Sequence, residues 1–130
     1  MSNARPRILV VDDDRPIRDV ISTVLKEAGY DILQAIHGGE AIALVDDAPP
    51  DLIISDLMMP IVDGIELCRY AKARGDIAVI LMSSAPPTVV DADHDAFLPK
   101  PFALDTLESL VAGVLARHDD PTTGPAPQPT

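Results

Sequence analysis

Short apolar runs alternating with helical patterns constrain the fold of this chain more than any other feature. "RILVV" (7–11), "YDILQAI" (30–36), "DLIIS" (51–55), "IAVILM" (77–82) and "AFL" (96–98) read as strands, and turn residues or helical patterns separate them. "IAVILM" is apolar at every position, as a strand covered on both faces of a parallel sheet must be. After the first run, Ile17, Val20, Ile21, Val24, Leu25 and Ala28 recur at three- and four-residue steps, with Pro16 in the first turn and Gly29 past the end. "GEAIALVDD" (39–47) predicts a second helix ended by Pro49 and Pro50, and "GIELCRYAKAR" (64–74) a third ended by Gly75. The last helix runs from Leu104 to about His118, with Leu104, Leu107, Leu110, Val111, Val114 and Leu115 on one face.

This order predicts an α/β fold: a doubly wound five-stranded parallel sheet with helices on both faces, joined by right-handed crossovers. Such sheets place their sites at the carboxyl ends of the strands, where the winding reverses. A chain of 130 residues that is 47% hydrophobic fills one domain, expected over 1–118. "DDPTTGPAPQPT" (119–130) has little to bury and is expected to be a disordered, Pro-rich tail.

A net charge of −11 argues against a nucleic-acid partner, which needs clustered Lys and Arg. The start "MSNARPRILVV" is neither a secretory signal nor a membrane span, so a soluble, cytoplasmic protein with no membrane partner is expected. The single Cys68 sits at helical spacing from Ile65 and Ala71 and reads as a buried helix residue. His37, His94 and His118 fall in no metal or phosphohistidine motif and read as surface residues.

"LVVDDDRP" sets three acids directly behind the first strand, and Asp56 follows "LIIS" at the end of the third. The fold brings Asp12, Asp13 and Asp56 to one edge, while Asp14 reads as the cap of the first helix. Like charges ~4 Å apart repel by roughly 4 kcal/mol at an effective dielectric of about 20, so such a cluster calls for a proton or a cation. Carboxylates, a backbone carbonyl and water suit Mg²⁺. Ser84 ends the fourth strand and Lys100 follows the fifth, so a hydroxyl and an ammonium reach the same edge. A carboxylate beside Mg²⁺ and a lysine is suited to attack a phosphoryl group.

"ILVVDDDRPIR", "PDLIISDLMMPIVDG", the Ser84-Ala85 pair and "KPF", in this order, resemble the receiver domain of two-component response regulators. The resemblance spans Ile8 to about His118. It implies a flavodoxin-like strand order 2-1-3-4-5, with Pro99 on the edge strand, where a missing ladder donor is tolerated. It makes Asp56 the phosphoacceptor, Asp13 a direct Mg²⁺ ligand, Asp12 a partner acting through metal-bound water, and Met58 the donor of a backbone carbonyl. Ser84 and Lys100 would each bind a phosphoryl oxygen, Ala85 leaves room for the incoming group, and Pro60, Asp63 and Gly64 shape the following loop. Phe97 stands at the switch-aromatic position, coupled to Ser84.

The implied partners are a sensor histidine kinase or histidine phosphotransfer protein and a downstream protein target. The implied role is signalling, not enzymatic turnover. Between Ser84 and Lys100 the chain is several residues shorter than is usual in the family, with Pro86-Pro87 where the fourth helix starts. That helix, part of the usual output face, is expected to be shortened or missing. "DADHDA" (91–96) could hold a metal through Asp91, Asp93, His94 and Asp95, but a solvated loop explains it better. A hydrolase with an aspartyl-phosphate intermediate is disfavoured because Met58 stands where a second Asp is needed. A phosphate-bearing cofactor would be repelled by three carboxylates. A degenerate receiver, serving only as a protein-interaction module, is the remaining alternative.

Overall fold

The computed structural model describes residues 5–59, 61–84 and 94–119. Strands β1 (Arg7–Val11), β2 (Asp31–Ala35), β3 (Leu52–Asp56), β4 (Ala78–Ser83) and β5 (Ala96–Pro99) form one parallel sheet in the order β2-β1-β3-β4-β5. Among the described residues there are four helices, α1 (Arg15–Glu27), α2 (Gly38–Asp47), α3 (Gly64–Arg74) and α4 (Leu104–Asp119). Residues 85–93, where the shortened or missing helix was expected, lie outside the described residues, as do Pro60 and residues 120–130.

The two-residue period of the strands divides the core into two layers. Ile8, Val10, Leu52, Ile54, Ile80 and Met82 point to one face and pack with Ile21 and Leu25 of α1 and Leu107, Val111 and Val114 of α4. Leu9, Val11, Ile53, Val79 and Leu81 point to the other and pack with Ala41 and Val45 of α2 and Leu67, Cys68 and Ala71 of α3. The central strands are therefore apolar at consecutive positions because each successive side chain serves a different layer. Fully burying one such Leu or Ile contributes about 1.5–3 kcal/mol, and β1, β3 and β4 supply most of that stabilisation. Cys68 is buried in the second layer, as its spacing predicts.

The α1 face differs from the expected apolar one. Arg18 and Ser22 are buried beside Ile21 and Leu25, whereas Val20 is 47% exposed. Asp14 occupies the N-cap position of α1, but its side chain makes no capping bond. Its amide instead donates to Asp12 Oδ1 (2.9 Å), which turns the chain from β1 into α1. At α3, Asp63 and Glu66 form a reciprocal capping box. Gly64 admits the start of α3 against β3, since a Cβ there would lie 2.6 Å from the Asp56 carbonyl oxygen. No helix among the described residues is long and apolar enough to cross a membrane.

Candidate functional site

The winding reverses between β1 and β3, because α1 and α4 cover one face and α2 and α3 the other. The crevice this leaves at the carboxyl ends of the strands is where Asp12 and Asp13 follow β1 and Asp56 closes β3. One carboxylate oxygen from each of the three lies within 4.8 Å of the others. Their surroundings differ. Asp12 is wholly buried, Asp56 is half-buried and Asp13 is exposed.

Lys100 reaches this cluster because its amide donates to the Ser83 carbonyl (2.8 Å), the last rung between the ends of β4 and β5. Its Nζ donates to Asp12 Oδ2 (2.9 Å) and, at a longer 3.4 Å, to Asp56 Oδ2. The side chain is 12% exposed, so this is no solvated loop lysine. Asp12 spends one oxygen on Lys100 and the other on the Asp14 amide. Asp56 is less well supplied, with the Met58 amide 3.4 Å from its Oδ1.

Burial pushes the Asp56 carboxyl above its ordinary value, and the Asp12 charge adds to the rise, against the opposing pull of Lys100 and the Met58 amide. For Lys100, burial alone would lower the value. The hydrogen bond and charge of Asp12, with those of Asp56, outweigh it and hold the ammonium charged. One ammonium thus faces three carboxylates. A donor set made only of hard oxygens, with an exposed member, fits a small divalent cation that keeps several waters.

An open cleft of about 720 Å³ connects Asp13, Asp56, Lys100 and Ser84 to an apolar wall that includes Ile17, Val20 and Phe102. Ser84 lies one residue past the end of β4 and is exposed, because the Ser83–Lys100 rung closes the ladder before it. Met58 is 68% exposed. Phe97 pairs with Leu81 in the sheet and packs, half-buried, on the second core layer. Ala85, Asp91 and Asp93 lie outside the described residues.

Asp95 is an exposed loop acid just before β5 that is nonetheless paired: its Oδ2 accepts from Lys72 Nζ (2.7 Å) and the Val79 amide (2.8 Å). His37 caps α2, its Nδ1 accepting from the Glu40 amide (3.0 Å).

Three residues that support the site stand in no sequence motif: Arg18, Gln34 and Ser22. Arg18 donates from Nη1 to the Asp12 carbonyl (2.8 Å) and from Nε to Gln34 Oε1 (3.0 Å), and Gln34 donates from Nε2 to Ser22 Oγ (2.9 Å). The available signal was the pair Arg18 and Ser22, one helical turn apart on the same face as Ile21 and Leu25, with polar Gln34 inside a strand.

Known proteins share this sequence pattern and fold. A family model described as the response regulator receiver domain matches residues 8–112. Response regulator MprA of Mycobacterium sp. (strain KMS) is 41% identical over 125 residues, covering 92% of this chain and 54% of that protein. The chain thus spans about half the length of the curated relatives it matches. A CheY-like response regulator receiver domain protein from Methanospirillum hungatei JF-1 superposes with a TM-score of 0.83 at 26% identity, over 89% of this chain and 98% of that one. The receiver domain of Francisella response regulator 1452 gives 0.79 at 34% identity, over 87% and 98%.

Proposed function

The chain belongs to the response regulator receiver domain family, and from that premise we propose that Asp56 accepts a phosphoryl group from a phosphohistidine. Such domains are signalling units of two-component systems, not enzymes that release a product. The observation that carries the reading is the meeting of Asp12, Asp13 and Asp56 within 4.8 Å, with Lys100 between two of them.

In the proposed step an Asp56 oxygen attacks phosphorus. The new O–P bond forms as the P–N bond to the histidine breaks, and the departing imidazole keeps the electron pair and takes up a proton. Asp13 and Asp56 would hold Mg²⁺ directly, Met58 would hold it through its main-chain carbonyl, and Asp12 would hold it through bound water. When bound, that ion supplies positive charge to the oxygens in transfer. Lys100 shifts its weight from Asp12 toward a phosphoryl oxygen, and the Ser84 hydroxyl donates to another. Ser84 moves inward as it does so, and Phe97 follows it as the switch, changing the surface offered to partners.

The donor is a sensor histidine kinase or histidine phosphotransfer protein, and the readout is binding of a downstream protein target. Incubation with acetyl phosphate and Mg²⁺, followed by intact-mass measurement, should show one added phosphoryl group that Asp56→Asn abolishes. Undiminished uptake by that variant, at any other residue, refutes the assignment. A Mg²⁺-dependent spectral change with beryllofluoride is expected as well. Its absence, together with no uptake, leaves the interaction-module reading in place.

A further inference from the structure

The acid turn that leads β1 into α1 is braced from behind by Arg18, which is 9% exposed and, among the described residues, hydrogen-bonds neither Asp56 nor Lys100. Its main-chain amide donates to the Asp14 carbonyl (3.0 Å), and its guanidinium donates to the Asp12 carbonyl (2.8 Å). One residue therefore holds the carbonyls on both sides of Asp13. Arginine has no acceptor, so the Gln34 amide must turn its oxygen to Nε. That leaves the amide nitrogen for Ser22 Oγ, and the fork is fixed at both ends.

The two acids of the turn depend on this bracing to different degrees. Asp12 has its own anchors, in the Asp14 amide and Lys100. Among the described residues no hydrogen-bond donor reaches the Asp13 carboxylate, so there its direction depends on the backbone of residues 12–14. That backbone is held by the Arg18 guanidinium on the Asp12 carbonyl, by the Asp14 amide on Asp12 Oδ1 (2.9 Å), and by the Asp12 amide, which donates to the Ala35 carbonyl (3.2 Å).

We propose that Arg18 is a positioning residue for the cation-binding acids, locking the Asp12 carbonyl so that the Asp13 carboxylate faces Asp56. The proposal rests on the reading of these acids as a Mg²⁺ site. Groups that orient metal ligands without touching the metal typically matter about 10- to 100-fold in affinity.

Arg18 has two other possible roles, and each predicts a different result. A guanidinium acting only as a positive charge near the acids would oppose a divalent cation, so its removal would tighten binding. A guanidinium acting only as packing would affect stability and leave affinity alone.

Mg²⁺ affinity is read by titration calorimetry on the unsubstituted protein, Arg18→Met, Arg18→Lys and Ser22→Ala, with urea denaturation of each in parallel. Arg18→Met should bind Mg²⁺ about 10- to 100-fold more weakly. Arg18→Lys, which keeps the charge and loses the fork, should also weaken binding, by a smaller factor. Ser22→Ala cuts the far end of the network and should lower stability with affinity unchanged. Unchanged or tighter binding by Arg18→Met overturns the proposal, as does equal weakening by Ser22→Ala. If Arg18→Met does not fold, Arg18→Lys decides: weakened binding supports the proposal and unaltered binding overturns it. Absence of Mg²⁺ binding by the unsubstituted protein defeats the metal reading and this proposal together, whereas normal binding with unaltered variants defeats this proposal alone.

Discussion

Strand β5 is four residues long and is fastened at both ends by a lysine–aspartate pair, but the two fastenings are built differently. At the start, Lys72 Nζ donates to Asp95 Oδ2 (2.7 Å) and to the Ile77 carbonyl (2.7 Å), and the same carboxylate oxygen takes the Val79 amide. One cation meets one anion, and backbone groups use the remaining capacity. At the other end, Lys100 meets the buried Asp12 at 2.9 Å and is drawn toward Asp56 at 3.4 Å, with Asp13 nearby and without an ion-pair partner among the described residues. The first pair is balanced and can only hold the strand. The second leaves negative charge in excess, and that excess can attract a cation or be relieved by a phosphoryl transfer. The same residue types thus make a clasp at one end and a site at the other, and the count of charges decides which.

The comparison is broken most severely at Lys100. Arg and Lys partners of buried carboxylates are costly to remove, because the remaining charge stays buried without compensation, and the typical loss is about 3–5 kcal/mol. Asp12 is wholly buried, so Lys100→Met should lose about 3 kcal/mol of stability at neutral pH, read as a lower urea midpoint. Saturating Mg²⁺ should restore part of that loss, since a cation bound only by the folded state stabilises it by mass action. A loss unaffected by Mg²⁺ would mean that the excess charge is not what Lys100 offsets.

At the other end the effect should be smaller. Lys72 and Asp95 keep 23% and 28% of their side-chain surface in solvent, so water compensates each when the other is gone. Lys72→Met should cost about 1 kcal/mol or less and should leave phosphoryl uptake from acetyl phosphate unchanged. Uptake that falls with Lys72→Met would show that the clasp and the site are coupled along β5, against the division drawn above.

The sequence disclosed the parts of this molecule whose physics is local or periodic. The five strands and four helices among the described residues follow from apolar runs, Pro and Gly boundaries, and three-to-four spacing, and the two-layer core follows from the apolar runs at 7–11, 51–55 and 77–82. Asp12, Asp13, Asp56 and Lys100 could be gathered in advance because the fold class dictates where strand ends converge. What escaped was set by tertiary pairing. Arg18 lies hidden in the apolar pattern of α1 because its partner, Gln34, comes from strand β2, and Val20 keeps the three-to-four spacing of a core residue although it borders the open cleft. Asp95 looked solvated because its partner Lys72 lies 23 residues back along the chain. Asp14 looked like a side-chain cap, whereas the bond that shapes the turn runs from its amide to Asp12. Phe97 was placed in β5 by its apolar neighbours, while its packing on the layer away from α1 depended on which face it takes.

The smallest predicted change has the opposite sign and tests the excess charge directly. The Asp56 carboxyl is raised from 3.8 by burial first and the Asp12 charge second, so the folded state holds that proton more tightly than the unfolded state does. A group raised in this way adds stability as the pH falls and withdraws it as the pH rises through the window between its unfolded and folded values. Above that window the ionised Asp56 is a net cost. Asp56→Asn removes the cost, so the metal-free variant should melt a few degrees higher than the unsubstituted protein at neutral pH. The difference should narrow as the pH is lowered toward 3.8, where the native carboxyl becomes protonated and resembles the amide. Added Mg²⁺ should also narrow it, by stabilising the protein that still carries all three carboxylates. An Asp56→Asn variant that melts lower in the absence of metal would mean that Lys100 already neutralises the cluster, and the two ends of β5 would then be alike.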